Sequence, residues 1–158
     1  MNREIERKFL TINDSWRQYT ERKFLCHQGY IPTQNHTAVR VRIIDNQAFI
    51  TLKGPVSGIS RDEFEYEIPL QDAETMMEHL CVKPFIEKHR YWVRVGSHLW
   101  EIDEFLGDND GLIVAEIELT SENEPFERPS WLGQEVSGIP DYYNSRLAVN
   151  PYKNWKKS

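Results

Sequence analysis

Apolar and polar residues alternate with a period of two along most of the chain, which predicts β-strands with one face of each kind. Short stretches rich in Gly, Asp and Asn, such as residues 107–111, separate the alternating segments. The predicted strands cover residues 4–10, 23–31, 38–44, 48–53, 62–70, 85–95, 99–105 and 112–120. Because short connections join sequential strands as antiparallel neighbours, eight such strands favour an antiparallel sheet closed into a barrel.

Helical signals are few. The spacing of Met76, Met77 and Leu80 predicts a helix over residues 72–81, capped by Asp72. Weaker patterns predict short helices over residues 13–20 and 141–148. The chain of 158 residues contains no repeat and no low-complexity tract, so we interpret residues 1–158 as a single, mainly β domain of the α+β class.

The polar faces of the predicted strands carry charges of a single sign. Glu63, Glu65 and Glu67 share one strand face, whereas Arg40 and Arg42 share another. A solvated strand face is the ordinary interpretation of any one such pattern. However, two carboxylates about 7 Å apart on one face repel by about 2.4 kcal/mol at an effective dielectric constant of 20, and this repulsion recurs on several strands. The set as a whole therefore favours a bound divalent cation.

The chemistry of these charges indicates both a metal and an anion. Carboxylates are hard oxygen ligands, which suit Mg²⁺, Mn²⁺ or Ca²⁺ better than zinc. Arginines can bind phosphate oxygens through two parallel hydrogen bonds, and lysines act as point charges. The phosphate-binding motifs GxxxxGK[ST] and GxGxxG are both missing from the sequence, so side chains would have to hold a polyphosphate.

Composition narrows the class of protein. The formal net charge of −6 argues against a general nucleic-acid binder. No run of about 18 apolar residues and no apolar N-terminal segment occurs, so we expect no membrane association and a cytoplasmic location. The two cysteines, Cys26 and Cys81, form no CxxC pair, which disfavours a zinc ribbon.

Short motifs in order along nearly the whole chain resemble the CYTH, or triphosphate tunnel metalloenzyme, family. They are EIERKFL at residues 4–10, QGYI at 28–31, RVR at 40–42, TLKG at 51–54, RDEFE at 61–65, KHR at 88–90, WEID at 100–103, AEIEL at 115–119, WLGQEV at 131–136 and YNSRLA at 143–148. The resemblance implies an eight-stranded antiparallel barrel that forms a tunnel with its charged face inward. It also implies that residues 141–148 form a helix plugging one mouth, whereas periodicity alone cannot distinguish the inner from the outer face.

The resemblance also implies roles for individual residues. The triphosphate would be held by Lys8, Arg40, Arg42, Lys53, Lys88, Arg90 and Arg146. One or two Mg²⁺ or Mn²⁺ ions would be bound by Glu4, Glu6, Glu63, Glu65, Asp103, Glu116 and Glu118. Lys8 and Tyr30 would orient the attacking water or handle its proton.

Several reactions are compatible with such a site. The closing motifs are most similar to those of short bacterial phosphatases, so we favour hydrolysis of the terminal phosphate of inorganic tripolyphosphate. Thiamine or nucleoside triphosphatase activity is the next alternative, followed by class IV-type adenylate cyclisation. A module that binds polyphosphate or nucleotide without catalysis is the non-enzymatic alternative. The expected partner is a small molecule that contains a triphosphate, and the resemblance leaves room for a homodimer.

Overall fold

Nine β-strands form the framework of the described part of the protein. The computed structural model describes residues 2–155. The two ends of the predicted domain, residues 1 and 158, lie outside this described part. The strands are β1 (Arg3–Thr11), β2 (Thr20–Ile31), β3 (Ala38–Ile44), β4 (Gln47–Lys53), β5 (Ser60–Ile68), β6 (Ile86–Val95), β7 (His98–Phe105), β8 (Ile113–Glu118) and β9 (Leu132–Glu135). All eight predicted strands are present, and β9 is an additional strand that the alternation does not predict.

The sheet closes into the predicted antiparallel barrel. Its strand order is β5-β4-β3-β2-β6-β7-β8-β1-β9, and a further pairing of β5 with β1 closes the ring of eight strands. Every pairing is antiparallel. The prediction of an eight-stranded antiparallel barrel is therefore confirmed.

Strand β1 forms the seam of the barrel and divides one of its edges between two partners. Arg3, Glu4 and Ile5 pair with β5, whereas the other end of β1 pairs with β9. At β9 the backbones come close together, because a Cβ atom on Gly133 would lie 2.9 Å from the carbonyl oxygen of Leu10. The opposite edge of β1 pairs with β8 from Glu6 to Leu10. Strand β1 is thus fixed along its whole length.

The main hydrophobic core lies outside the barrel. Side chains alternate between the two faces of a strand, so Phe9 on β1, Trp100 and Ile102 on β7, and Ile117 on β8 all point away from the lumen. Each of these four is fully buried. Trp16, from a 3₁₀ helix at Ser15–Tyr19 within the predicted segment 13–20, covers the outer face beside Tyr91. The inner face is consequently left for the charged residues.

A helix covers the outer face of β3 and β4. Helix α1 (Leu70–Leu80) buries Ala73 and Met77 against Val41 and Ala48. The predicted cap is wrong, because Pro69 precedes the first turn and Asp72 lies within that turn.

Residues near the C-terminus close one end of the barrel. The predicted helix over residues 141–148 is a 3₁₀ turn at Pro140–Tyr142 followed by α2 (Asn144–Leu147). Leu147 packs against Ile86, Phe105 and Val114, which continue the inward-facing rows of β6, β7 and β8. The inner face is therefore charged along part of the barrel and apolar where α2 plugs it. Among residues 2–155, no helix is long and apolar enough to cross a membrane.

Candidate active site

A charged cavity of about 340 Å³ occupies the lumen. Acids and bases line it in equal number. The acids are Glu4, Glu6, Glu63, Glu65, Glu101, Glu116 and Glu118, and the bases are Lys8, Arg40, Arg42, Lys53, Arg61, Lys88 and Arg90. Tyr30, from the strand that faces the plug, also contributes to the lining. These side chains come from all eight strands of the closed ring, so the barrel is what brings them together.

Two of the residues singled out from the sequence do not line the cavity. Arg146 is exposed, because Leu147 takes the barrel-facing side of the short helix α2. Asp103 is 1% exposed and lies behind the basic residues. Its Oδ1 accepts a hydrogen bond from Arg90 at 2.7 Å, and its Oδ2 accepts one from Lys88 at 2.8 Å. Both oxygens of Asp103 are therefore engaged in orienting cations.

Acids cluster where β1 meets β4 and β5. The Lys53 ammonium lies 3.2 Å from Glu4 and 3.3 Å from Glu63. Burial and the neighbouring Glu4 carboxylate raise the pKa of Glu63. Burial acts to raise the pKa of Glu4, but Lys53, the contact with Glu63 and the charge of Arg61 together outweigh it, so the pKa is lowered. One lysine thus partly neutralises two carboxylates that contact each other.

A second carboxyl pair lies deeper, between β1 and β8. The side chains of Glu6 and Glu116 contact each other, and Glu116 is also held by Arg90 at 2.8 Å and Lys8 at 3.8 Å. Burial together with the Glu116 and Glu4 carboxylates raises the pKa of Glu6 well above its usual range. Burial opposes ionisation of Glu116 too, but Lys8 and Arg90 hold its pKa well below the usual range. Among the described residues, Glu6 has no ion pair with a base, so a bound cation would stabilise its ionised form.

Arg42 is the counterpart of Glu6 on the basic side. Its side chain is buried, at 7% exposure, and within residues 2–155 it makes no hydrogen bond and no ion pair with an acid. Burial and the positive charges of Arg40 and Arg90 lower its pKa to about 10. The buried Nε groups of Arg40 and Arg61 also make no hydrogen bond in this part of the chain, although Arg61 Nε lies 3.6 Å from the Glu4 carboxylate. An unpaired buried cation is costly, so this group of guanidinium donors is suited to an anion.

Polar groups of the plug reach the cavity floor. Asn144, at the start of α2, lines the cavity and accepts a hydrogen bond from the Lys88 ammonium at 2.9 Å. Lys8 donates to the carbonyl oxygen of Tyr142 at 3.3 Å. Burial lowers the pKa of Lys88 to about 8. Burial also acts to lower the pKa of Lys8, but Glu116 and Glu6 overcome it and raise the pKa, so Lys8 stays positively charged at neutral pH.

Sequence reasoning assigned no role to Arg61 or Asn144. Arg61 lies on the same face of β5 as Glu63 and Glu65, so strand parity alone could have identified it. Asn144 lies within the motif YNSRLA, two residues before the predicted Arg146, and only the orientation of α2 distinguishes the two. Glu101 reaches the cavity from β7 beside Arg90, 3.3 Å away.

The acids fit a hard divalent cation as pairs. Among residues 2–155, no three His, Cys, Asp or Glu side chains are arranged as a ready-made metal cage. However, Mg²⁺ in phosphate-binding sites is typically held by one or two carboxylates, with phosphate oxygens and water completing its shell. Glu6 with Glu116 is such a pair, and a cation there would relieve the repulsion that raises the pKa of Glu6.

Comparison with known proteins gives a consistent result. The CYTH domain family matches residues 2–143. An inorganic triphosphatase of Acetivibrio thermocellus is 48% identical over 99% of this chain and all of that protein. An inorganic triphosphatase of Nitrosomonas europaea is 33% identical over 93% of this chain and 97% of that protein. A crystal structure of an inorganic triphosphatase, 31% identical, superposes with a TM-score of 0.66 over 92% of this chain and 97% of that one. The match spans the barrel and both sides of the charged lumen, and the chain belongs to the CYTH domain family.

Proposed function

We propose that this protein is a divalent-metal-dependent triphosphatase that removes the terminal phosphate of inorganic tripolyphosphate. The observation that carries the proposal is that Arg42 and Glu6 lie on opposite walls of one closed barrel, and that neither forms an ion pair with an opposite charge among residues 2–155. An anion and a cation bound together would satisfy both groups. The two curated relatives, at 48% and 33% identity, are both inorganic triphosphatases, which supports the same activity here.

The phosphate chain would lie along the basic wall. Arg40, Arg42 and Arg61 offer guanidinium hydrogens that are not used within the described protein. Lys53, Lys88 and Arg90 would bind as further cations, each already oriented by an acid. Phosphoryl transfer depends mainly on positioning and charge neutralisation, so a preformed array of this kind supplies much of what the reaction needs.

The metal would be held by carboxylates on the acidic wall. Glu6 and Glu116 form the primary pair, with Glu4, Glu63, Glu65 and Glu118 available for a second ion or its water ligands. When bound, a divalent metal supplies neutralisation of phosphate charge and a lowered pKa for a coordinated water. We leave Asp103 out of this set, because it does not line the cavity and because its oxygens accept hydrogen bonds from Lys88 and Arg90 behind the cavity wall.

Lys8 and Tyr30 would act where the terminal phosphate meets the plug. Because its pKa is raised, the Lys8 ammonium keeps its proton at neutral pH and would bind oxygen atoms or orient water as a cation. The Tyr30 hydroxyl lies at the same end of the cavity and can donate a hydrogen bond. The pair is therefore suited to stabilising the charge that develops on the phosphate during attack.

A substrate panel tests this function directly. Tripolyphosphate, ATP and thiamine triphosphate would be assayed with Mg²⁺ or Mn²⁺ for both phosphate release and cyclic AMP, with EDTA as the control. We expect the fastest phosphate release from tripolyphosphate, none in EDTA and no cyclic AMP. The variants Lys8→Ala and Glu116→Ala should be folded by circular dichroism and inactive. Tight binding of tripolyphosphate without turnover would contradict the proposal in favour of a binding module.

A further inference from the structure

A chain of hydrogen bonds joins the plug to the cavity wall. The Nε2 of Gln28 lies 3.0 Å from the Tyr30 hydroxyl oxygen and 3.3 Å from the Oδ1 of Asn144. The same Oδ1 lies 2.9 Å from the Lys88 ammonium, which in turn contacts Asp103 at 2.8 Å. Gln28 is fully buried on β2, whereas Tyr30, Lys88 and Asn144 line the cavity. The chain therefore connects a residue outside the cavity to three residues within it.

The direction of every bond in this chain follows from the chemistry of Lys88. An ammonium group only donates hydrogen bonds, so the Asn144 atom facing it must be the carbonyl oxygen. Because that oxygen only accepts, the Gln28 atom in contact with it must be the amide nitrogen. The same nitrogen then donates to Tyr30, whose oxygen is the acceptor. No other assignment satisfies all three contacts.

With this direction, two donor groups at the cavity floor have no acceptor among the described residues. The Tyr30 oxygen is occupied as an acceptor, so its O–H is available to donate elsewhere. Both contacts of Asn144 are made by its oxygen, and its Nδ2 donates no hydrogen bond within residues 2–155, so the Nδ2 hydrogens are also available. Both side chains line the cavity, where the proposed substrate would present phosphate oxygens that only accept. The Oε1 atom of Gln28 is buried without a partner among residues 2–155, a cost that an apolar side chain at this position would avoid.

We propose that the buried amide pair Gln28–Asn144 directs the Tyr30 hydroxyl and the Asn144 amide group onto the oxygens of the terminal phosphate. Asn144 would bind substrate directly, while Gln28 would act as a positioning residue through Tyr30 and Asn144. The plug helix would then contribute to substrate binding as well as closing the barrel. This inference rests on the proposed triphosphatase function.

The variant Asn144→Asp tests the direct contact. It keeps an oxygen for Lys88 but removes the amide donor and places a negative charge near the phosphate. We expect KM for tripolyphosphate to rise at least about tenfold, the effect of one well-placed hydrogen bond, while the melting temperature stays close to that of the wild type. The same exchange at an exposed turn, Asn46→Asp, is the matched control and should change neither KM nor the melting temperature. A KM for Asn144→Asp within twofold of the wild type would overturn the contact.

A double-mutant cycle tests the positioning role of Gln28. The variant Gln28→Met keeps the volume, removes the donor and avoids burying a new charge, so it should fold. We expect kcat to fall about tenfold in Gln28→Met and in Tyr30→Phe, and the double variant to be little worse than either. Two unrelated structural defects would multiply their effects on kcat. A double variant little worse than either single variant therefore indicates that Gln28 acts through the Tyr30 hydroxyl. Effects that multiply in the double variant would refute the positioning role.

The outcomes separate this inference from the function on which it rests. If the wild type releases no phosphate from tripolyphosphate under any metal condition, the proposed function fails. If the wild type is active and Lys8→Ala is inactive, but Asn144→Asp and Gln28→Met behave as the wild type, only the amide-pair inference fails. Gln134→Met, an exposed position on β9, is the control for the Gln28 exchange.

Discussion

Replacing Arg42 with methionine should stabilise the protein and remove its activity at the same time. The Arg42 guanidinium is buried at 7% exposure, and the strongest charges that act on it are the positive ones of Arg40 and Arg90. These surroundings lower its pKa from the ordinary range of arginine to about 10. At 1.36 kcal/mol for each tenfold change in acidity, the charged form costs the folded state about 3 kcal/mol.

The sign of this effect is set by the pH. Arginine is protonated in both the folded and the unfolded chain below pH 10, so the full cost applies at neutral pH and is relieved only above about pH 10, where Arg42 loses its proton in the folded state. Methionine carries no charge and has a similar length, so Arg42→Met should raise the melting temperature by roughly 6–12 °C for a chain of this size. An exposed arginine on β6, in Arg94→Met, provides the control and should change stability by less than about 0.5 kcal/mol.

The activity of Arg42→Met should fall while its stability rises. Loss of one preorganised donor to a developing phosphate charge typically lowers kcat by about 10²–10³-fold. Adding tripolyphosphate should raise the melting temperature of the wild type, by an amount equivalent to about 2.7 kcal/mol at one hundred times Kd, and should not raise that of Arg42→Met. The assays are differential scanning calorimetry with and without tripolyphosphate, and phosphate release. A variant that melts lower than the wild type and still hydrolyses tripolyphosphate would refute the reasoning.

Three further predictions follow from the lumen and the plug. Since burial lowers the pKa of Lys88 to about 8, its positive charge is lost as the pH rises through 8. KM for tripolyphosphate should therefore increase above that pH in the wild type but not in Lys88→Arg. Parallel pH profiles of KM in the two proteins would contradict this. Glu6→Gln should need at least about tenfold more Mg²⁺ for half-maximal activity, whereas Glu67→Gln, exposed and outside the cavity, should titrate with Mg²⁺ as the wild type does. Leu147→Ala should lower the free energy of unfolding in urea by about 2–5 kcal/mol, because it leaves a void among Ile86, Phe105 and Val114; a loss no larger than that of the exposed Val149→Ala would mean that the plug is not anchored by Leu147.

Alternation along the sequence was sufficient to predict the strands but not the side on which the charges lie. Strand β3 begins and ends at the predicted residues, because Val39, Val41 and Ile43 share one face and alternate with Arg40 and Arg42 on the other. A charged face that lines a lumen and a charged face that meets solvent have the same period of two. The inward orientation was therefore inferred only from the resemblance to the family, and packing of Phe9 and Trp100 outside the barrel confirms it.

What the sequence missed depends on contacts between distant segments. Strand β9 has four residues, contains Gly133 and shows no alternation, and it exists because it pairs with β1 more than 120 positions away. Asp103 and Glu116 both lie in acidic motifs, yet only the three-dimensional arrangement places Asp103 behind Lys88 and Glu116 in the lumen. The single turn of α2 likewise directs Asn144 inward and Arg146 outward, which spacing alone cannot reveal.

The division of apolar and charged residues between the two faces also guards against misfolding. If β1 shifted by one residue against β8, Phe9 would enter the lumen, and Glu6 and Lys8 would be forced among Trp100 and Ile117. Such an error would be penalised on both faces at once, by uncovered apolar surface inside and by charges without water outside. The side chains that equip the barrel for phosphate chemistry thus also help to select its correct strand alignment during folding, before any ligand is bound.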